Sequence, residues 1–300
     1  MPTVCAIIVS FHPEPALLHS LQAILPQVAA VVVVDNGSLP SELADLYRIE
    51  SASLKIIELV ENKGLAYAQN RGIEWALQHD FSHVLILDQD SLPQQNMVQC
   101  LIDASLLLVA EGHPVSVVGP QPIDQKNNRP FFFVRYGRLS NQRLSCPLNQ
   151  KNCILPVDFL IASGSLISVD VLRHVGLMNE AFFIDQVDTE WCLRASFLNY
   201  QAFAVCDAVL LHSLGDTIIP LRFFKWQWHI ATHSPLRDYY VFRNTVWMFF
   251  QKTTHWRWIV INAKRLLMFL IFFGLFVPPR KQRIKMMLKG LWHGIKASYK

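Results

Sequence analysis

The stretch His83-Val-Leu-Ile-Leu-Asp-Gln-Asp-Ser91 joins an apolar run to two carboxylates that stand one residue apart. A short continuous apolar run is typical of a strand that is buried on both faces of a parallel sheet. At the carboxyl end of such a strand, side chains point into the crevice where α/β proteins bind ligands. Asp88 and Asp90 would there be suited to hold a hard divalent cation together with substrate phosphates.

Over the first third of the chain, apolar runs alternate with helical patterns. The pattern predicts strands at residues 4–10, 30–34, 54–60 and 83–87, and helices at 15–25 and 64–78. This alternation is typical of a parallel, doubly wound sheet. Asp35, which follows the second strand, and the Asp88/Asp90 pair are therefore expected to share one edge of that sheet.

The chain is less regular after residue 120. Residues 121–152 are rich in Pro, Asn, Gln and Arg, and we expect an insertion or long loop there, with an irregular strand at 131–134. Helical patterns return at 171–175 and 190–197, and an apolar strand pattern covers 202–211.

A second acidic cluster, Asp185-Gln-Val-Asp188-Thr-Glu190, follows about a hundred residues after the first. A carboxylate here could act as a general base, and a metal-bound phosphate with a separate base is the minimal set for displacing a nucleotide leaving group. The alternative is structural, because acidic residues stabilise the first turn of a helix.

The charges are unevenly distributed along the chain. It carries 27 Lys+Arg and 23 Asp+Glu, yet about 12 of the basic residues and none of the acids lie after Asp238. This basic, aromatic-rich tail contains the apolar run 266–277, which is shorter than the roughly 20 residues that span a bilayer. The composition favours a helix at a membrane interface over a core helix or a transmembrane span.

The amino terminus and the cysteines point to a cytosolic chain. Residues 1–10 are predicted to be a strand rather than a signal peptide, because no basic segment precedes a long apolar one. The six cysteines are scattered without a Cys-x-x-Cys pair. We expect them to be reduced core residues, and we expect no structural zinc.

Several segments together carry a more specific pattern. They are Ile8-Val-Ser-Phe-His-Pro13, Val34-Asp-Asn-Gly-Ser38, Glu61-Asn-Lys-Gly64, Asn70-Arg71-Gly72, Leu87-Asp-Gln-Asp-Ser91, Phe159-Leu-Ile-Ala-Ser-Gly-Ser-Leu-Ile-Ser168, Phe183-Ile-Asp-Gln-Val-Asp-Thr-Glu-Trp-Cys-Leu-Arg194, His212-Ser-Leu-Gly-Asp216, His233-Ser-Pro-Leu-Arg-Asp-Tyr-Tyr240 and Arg243-Asn244. This set, spread over about residues 3–250, resembles glycosyltransferase family 2, and within it the bacterial rhamnosyltransferases of surface-polysaccharide synthesis.

The resemblance implies the GT-A fold, a Rossmann-like mixed sheet flanked by helices. A catalytic domain would cover residues 1–220, with a nucleotide-binding half at about 1–120 and an acceptor half at about 150–220. Residues 221–300 would form a helical, membrane-associating extension.

The resemblance also implies roles on the donor side. Asp90 would ligate Mg²⁺ or Mn²⁺ together with His212, while Asp88 would face the ribose, the metal or a metal-bound water. Asp35 would hydrogen-bond the nucleobase, and His12 stands where the family more often has Asn. Further nucleotide contacts are expected from Ser10, Glu14, Asn62 (a candidate cap of the helix 64–78), Asn70 and Arg71.

On the acceptor side, Asp188 matches the family's catalytic base. It would remove the proton from the acceptor hydroxyl, which attacks the anomeric carbon in line with the leaving diphosphate and inverts it. Asp185 and Glu190 belong to the same cluster, and Glu190 would orient Asp188 or face the acceptor. The later block would contact the diphosphate or the acceptor, or pack helices at the membrane, through His233, Arg237, Tyr240 and Arg243.

We therefore expect a metal-dependent inverting glycosyltransferase with dTDP-L-rhamnose as donor and a lipid-linked bacterial glycan, such as O-antigen or capsule, as acceptor. It would be cytoplasmic and peripherally attached to the inner face of the cell membrane. Three alternatives stay open: a UDP-hexose donor, an aspartyl-phosphate hydrolase with Asp88 as nucleophile, and a non-catalytic membrane-surface binding protein. Nucleic acid is not an expected partner, because the body of the chain is acidic.

Overall fold

The computed structural model describes residues 2–147, 150–212, 218–223, 226–231 and 234–298, the stretches 218–223 and 226–231 by their backbone alone. The chain divides into two compact units. We call Met1–Phe183 with Val187–His212 the N-terminal unit, and Ile184–Gln186 with Ser213–Lys300 the C-terminal unit.

The N-terminal unit is built on one large sheet with helices on its faces. The strands of the unit are β1 Val4–Ser10, β2 Ala30–Asp35, β3 Leu54–Glu58, β4 His83–Asp88, β5 Leu92–Pro93, β6 Val115–Asp124, β7 Phe133–Tyr136, β8 Asn141–Leu144, β9 Ile154–Val157, β10 Ser165–Ser168 and β11 Gln201–His212. All of them belong to the large sheet except β7 and β8, which form a separate two-stranded sheet. The helices of the unit are α1 Ala16–Ile24, α2 Ala44–Tyr47, α3 Leu65–Gln78, α4 Met97–Ala110, α5 Val169–Val175 and α6 Val187–Phe197. The sheet order is β3-β2-β1-β4-β10-β6-β11-β5, and β9 lies beside β11.

The first four strands form a parallel core that is covered on both faces. Ile8 packs with Leu17 and other α1 residues in one hydrophobic cluster. On the other face, Gly72 of α3 lies so close to β1 that a Cβ there would be 2.4 Å from the Ile7 side chain. Burial on both faces explains why these strands read as continuous apolar runs, and the predicted strands and helices of this region are confirmed to within two residues.

Beyond β4 the sheet is mixed. Strand β10 pairs antiparallel with β4 and β6, whereas β6 and β11 are parallel. The parallel arrangement predicted from the alternation is confirmed for the first four strands. The mixed sheet implied by the resemblance is confirmed for the sheet as a whole. The chain enters β10 through a turn at Gly164, whose φ of +89° and close contact with Pro120 exclude a side chain.

Residues 121–152 contain more regular structure than expected. Strand β6 continues to Asp124, and β7 and β8 then form a hairpin in which Phe133 lies opposite Leu144. Strand β7 begins two residues after the start of the predicted irregular strand at 131–134 and overlaps it. Its periodicity is weak because β8 is largely exposed and offers no apolar face.

One pair of cysteines contradicts the expectation that all six are reduced. Cys146 and Cys206 form a disulfide, with Cα atoms 5.6 Å apart, across a sequence separation of 60 residues. Their proximity depends on the path of the insertion, which their spacing in the sequence does not reveal. The other cysteines are free thiols: Cys5, Cys100, Cys153 and Cys192.

The described part of the C-terminal unit contains a hairpin and three helices. They are β12 Ile218–Phe223, β13 Trp226–Ala231, α7 Pro235–Met248, α8 Trp256–Phe276 and α9 Arg280–Ala297. Gly290 and Gly294 let α9 approach the backbone of α7 at Tyr239 and Arg243. A hydrophobic core of this unit is formed by Val241, Phe242, Val246, Leu266, Phe273, Val277 and Met287.

Helix α8 is longer than the apolar run 266–277 suggested. It has 21 residues, enough by length and composition to cross a membrane, and only 22% of its most apolar window is buried. One face packs inside the unit through Trp258, Leu266 and Phe273. The opposite face exposes Leu267, Met268, Ile271 and Leu275.

Candidate active site

Asp88, Asp90 and His212 form a cluster that could hold a cation. One ligand atom from each lies within 4.8 Å of the others. Asp88 ends β4 and His212 ends β11, and Leu211 pairs with Leu92 of β5 directly after the acidic turn. This antiparallel pairing is what brings His212 beside the two carboxylates.

Two buried serines connect the members of this cluster. The backbone N–H of Asp88 donates to Ser163 Oγ (3.1 Å), Ser163 Oγ lies 2.6 Å from Ser91 Oγ, and Ser91 Oγ lies 2.9 Å from His212 Nδ1. His212 Nδ1 also lies 4.0 Å from Asp90 Oδ1, so the bond to Ser91 orients the imidazole beside the carboxylates. Sequence reasoning assigned neither serine a role, although both lie in the segments that carry the family resemblance.

Gln89, between the two acids, ties their turn to the loop after β1. Its Oε1 accepts the Phe11 N–H at 3.0 Å, and its Nε2 donates to the Phe11 carbonyl at 3.3 Å. This reciprocal pair fixes the turn without using either carboxylate, and it too was missed by sequence reasoning.

Asp35 organises the loop after β2. Its carboxylate accepts from Ser10 Oγ (3.0 Å), Ser38 Oγ (2.6 Å), Ser38 N–H (2.8 Å) and Gly37 N–H (3.1 Å). The register pairs Ser10 with Asp35 and Val9 with Asp88, so the expected shared edge of the sheet is confirmed. The nucleobase contact of Asp35 stays a prediction.

Asn62 does not cap α3 as expected. The cap position is Gly64, with φ of +94°, where a Cβ would clash with Phe183. Asn62 Oδ1 instead accepts from Gly64 N–H (3.0 Å) and from Asn36 Nδ2 (3.1 Å). The first helical N–H, that of Leu65, donates to the Phe183 carbonyl at 2.6 Å.

Asn70 and Arg71 bond to a neighbouring segment of the same unit. The buried Asn70 side chain exchanges hydrogen bonds of 2.9 Å with the backbone of Met178 and donates to Glu180. Arg71 pairs with Glu74 at 2.7 Å and with Glu180 at 3.2 Å. These contacts explain both residues structurally, and their nucleotide roles stay predictions.

The loop between β1 and α1 carries His12 and Glu14. His12 has φ of +48°, in the left-handed region where Asn, Asp and His are enriched among residues with a side chain. His12 Nδ1 lies 2.8 Å from Glu42, and the pKa of Glu42 is lowered by the Leu39 N–H and by His12. Glu14 is exposed, and its carbonyl accepts the Leu17 N–H.

The three acids of the second cluster have different partners. Asp188, in the first turn of α6, accepts the Thr189 N–H at 2.7 Å. Glu190 is buried and forms a two-point ion pair with Arg194, at 3.0 and 3.1 Å. Asp185 belongs to the C-terminal unit and accepts from Arg237 Nε at 3.1 Å.

Gln69 is a further residue near Asp188 that sequence reasoning missed. Its side-chain amide is buried, and neither polar atom has a hydrogen-bond partner among the described residues. Gln69, Asp188 and Trp191 line a cavity of about 20 Å³, which is large enough for one water molecule. Nearby, burial raises the pKa of the Cys192 thiol to about 12, so it is uncharged at neutral pH and unsuited to act as a nucleophile.

The structure describes only part of the block formed by His233, Arg237, Tyr240 and Arg243. His233 lies outside the described residues. Within the C-terminal unit, the Arg243 guanidinium lies 5.0 Å from the Tyr240 ring centroid, and burial raises the pKa of Tyr240. The contacts of Arg237 and Arg243 with a diphosphate or an acceptor stay predictions.

Comparison with known sequences finds similarity to glycosyltransferases. The family model described as Glycosyl transferase family 2 matches residues 5–176. The dTDP-rhamnosyl transferase RfbF of Shigella flexneri is 28% identical over 288 residues, which cover 95% of this chain and 91% of that protein. The low-salt glycan biosynthesis hexosyltransferase Agl10 of Haloferax volcanii is 26% identical over 216 residues, covering 68% of this chain and 65% of that protein.

Solved structures share the fold at low identity. S. aureus TarS 1-349 in complex with UDP-GlcNAc aligns with a TM-score of 0.59 at 16% identity, over 99% of this chain and 81% of that one. GalNAc-T7 with UDP, GalNAc and Mn²⁺ aligns with a TM-score of 0.61 at 13% identity, over 96% of this chain and 55% of that one. The fold is that of GT-A glycosyltransferases, and the chain belongs to glycosyltransferase family 2.

Proposed function

We propose that this glycosyltransferase transfers L-rhamnose from dTDP-L-rhamnose to a lipid-linked or growing bacterial surface glycan, with the help of a divalent cation. The observation that supports this choice of donor is the similarity, over 95% of the chain, to a protein named as a dTDP-rhamnosyl transferase. That similarity also covers the C-terminal unit, which the family model does not reach.

The donor set of the Asp88–Asp90–His212 cluster fits Mg²⁺ or Mn²⁺. Carboxylate oxygens suit both ions, and an imidazole nitrogen is the ligand that favours Mn²⁺. When bound, such a cation offsets the diphosphate charge and makes the nucleotide a better leaving group. Asp90 is 43% exposed and His212 12%, so the cluster is open to solvent on the carboxylate side.

Asp188 is the proposed base. It lies at the start of α6, and its bond from the Thr189 N–H orients the carboxylate. It would take the proton from the acceptor hydroxyl as that oxygen attacks the anomeric carbon, so the product carries the inverted configuration. Glu190 is not proposed as a second base, because its carboxylate is already paired with Arg194 inside the fold.

The test is a calorimetric titration of the full chain with dTDP-L-rhamnose, UDP-glucose, UDP-galactose and GDP-mannose, each with Mn²⁺ and with EDTA. Binding of dTDP-L-rhamnose that depends on Mn²⁺ and exceeds that of the other sugars supports the proposal. A preference for a UDP-hexose, which the Haloferax hexosyltransferase relative makes the second candidate, would replace the donor. Equal binding of the donor in Mn²⁺ and in EDTA would contradict the proposed role of the cation.

We also propose that the C-terminal unit attaches the enzyme to the cytoplasmic face of a membrane. The exposed apolar face of α8 and the exposed lysines of α9 combine hydrophobic and basic surface in one unit. Each basic residue near an anionic leaflet contributes about 1 kcal/mol. The lysines are Lys281, Lys285, Lys289 and Lys296.

Flotation with anionic and with zwitterionic vesicles tests this attachment. Leu267→Asp with Ile271→Asp should abolish flotation, because both side chains are more than half exposed on α8. The matched control is Leu106→Asp with Val109→Asp on α4, which are similarly exposed in the N-terminal unit. Equal loss in both pairs, or continued flotation of the α8 pair, would count against the proposed surface.

A further inference from the structure

The segment that precedes α6 has an unusual backbone. Asp185 and Gln186 are consecutive residues with side chains, and both have φ of +65°. The left-handed region is costly for a residue with a Cβ and is rarely adopted twice in succession. Such a conformation persists only where surrounding contacts hold it, and it is often found at functional sites.

Asn244 of α7 supplies the main contacts. Its side chain is 0% exposed, and its Nδ2 donates to the carbonyls of Ile184 (2.8 Å) and Asp185 (2.9 Å). Arg243 Nε donates to Asn244 Oδ1 at 2.8 Å, which settles the orientation of the amide. The preceding carbonyl, that of Phe183, accepts the Leu65 N–H, so three successive carbonyls are engaged.

The side chains of the segment are held as well. Arg237 Nε donates to both carboxylate oxygens of Asp185, at 3.1 and 3.3 Å. Gln186 Nε2 donates to Thr245 Oγ1 at 2.9 Å. These bonds all come from α7, so one helix holds the carbonyls of Ile184 and Asp185 and the side chains of Asp185 and Gln186.

We propose that Asn244, supported by Arg237 and Thr245, is a positioning residue for Asp188. Helix α6 begins at Val187, so the backbone angles of Asp185 and Gln186 set the direction of its first turn, which carries Asp188. This proposal rests on the role of Asp188 as base.

The first test is Asn244→Ala in the full chain. A displacement of the base by about 1 Å costs about 100-fold in rate, so turnover should fall by about 10–100-fold while donor affinity changes less than about twofold. Hydrogen exchange of the amides at 186–190 should accelerate. The matched control is Asn262→Ala, which removes another buried asparagine of the same unit, one that bonds only within α8 to the Trp258 carbonyl at 3.0 Å.

The second test is rescue. Glycine adopts positive φ without steric cost, so adding Gln186→Gly to Asn244→Ala should restore the segment by intrinsic preference. Turnover should recover by several-fold and the exchange protection should return. If Asn244→Ala does not fold, Thr245→Val removes only the bond from Gln186 and should lower turnover in the same direction by a smaller factor.

Several outcomes would overturn the proposal. They are wild-type turnover in Asn244→Ala, an equal loss in Asn262→Ala, and a double variant that recovers neither turnover nor protection. If the wild-type protein transfers no sugar, the proposed function fails separately. The exchange measurement needs no turnover, so faster exchange at 186–190 and its reversal by Gln186→Gly would still support the positioning, and unchanged exchange would refute it.

Discussion

The two acidic clusters look alike in the sequence, but the fold uses them differently. Asp88 and Asp90 follow one strand and converge with His212 within 4.8 Å. Asp188 and Glu190 are also two residues apart, yet they lie on a helix, where successive residues are rotated by about 100°. Residues at i and i+2 therefore point away from each other. A turn at a strand end gathers its acids into one cluster, whereas a helix directs them to different surroundings.

The largest effect is expected from the one acid of the second cluster that is assigned to chemistry. Asp188→Asn should lower turnover by about 10²–10⁴-fold, the usual contribution of a general base, while donor binding is retained. Single-turnover transfer and calorimetry measure the two quantities. Asp170→Asn, at an exposed acid of α5, is the control. Retained turnover in Asp188→Asn would assign the base elsewhere and weaken the contrast between the clusters.

Removal of one ligand from the Asp88–Asp90–His212 cluster should impair cation binding by the whole cluster. Asp90→Ala should weaken Mn²⁺ binding by more than about 100-fold, because even residues that only support a metal ligand contribute about 10–100-fold. Titration of Mn²⁺ by electron paramagnetic resonance measures this without a substrate. Asp188→Asn serves here as the control and should bind Mn²⁺ normally. If the two variants lose Mn²⁺ equally, the clusters are not functionally separate.

Glu190 should affect folding more than catalysis. Glu190→Gln removes one partner of a buried ion pair and should cost about 2–3 kcal/mol, below the range for fully buried pairs because Arg194 keeps the carbonyls of Val175 and Leu177 as acceptors. Thermal unfolding should shift downward by about 5–10 °C. Asp170→Asn, which breaks only an exposed pair with Arg173, should shift it little. A loss of turnover in Glu190→Gln without a loss of stability would reverse this assignment.

The smallest expected effect concerns the serine that holds His212. Ser91→Ala removes the partner of Nδ1 and should weaken Mn²⁺ binding by about 10-fold. Ser105→Ala, at another buried serine on α4, is the matched control. Unchanged Mn²⁺ affinity in Ser91→Ala would mean that the imidazole is oriented by other contacts or does not reach the cation.

Much of the fold could be predicted because the strands and helices of its core follow from local patterns of apolar residues. Strand β2 is buried at every position and is apolar up to Asp35, and α3 repeats its apolar residues at helical spacing. The Cys146–Cys206 disulfide, the β7–β8 hairpin and the antiparallel β10 were not foreseen. Each depends on where distant segments meet, and that information is not contained in a local period of two or 3.6 residues.

The sequence alone determined the parallel core, the edge where Asp35 and Asp88 lie side by side, and the family. These follow from periodicity and from motifs whose residues are close in the chain. Which acids lie together depends on the tertiary structure, because their neighbours come from distant parts of the chain. His212 reaches Asp88 and Asp90 through the pairing of β11 with β5, and Arg237 reaches Asp185 from α7. The direction of a side chain is set by the backbone that carries it, and at Asp185 and Gln186 that backbone is held by tertiary hydrogen bonds.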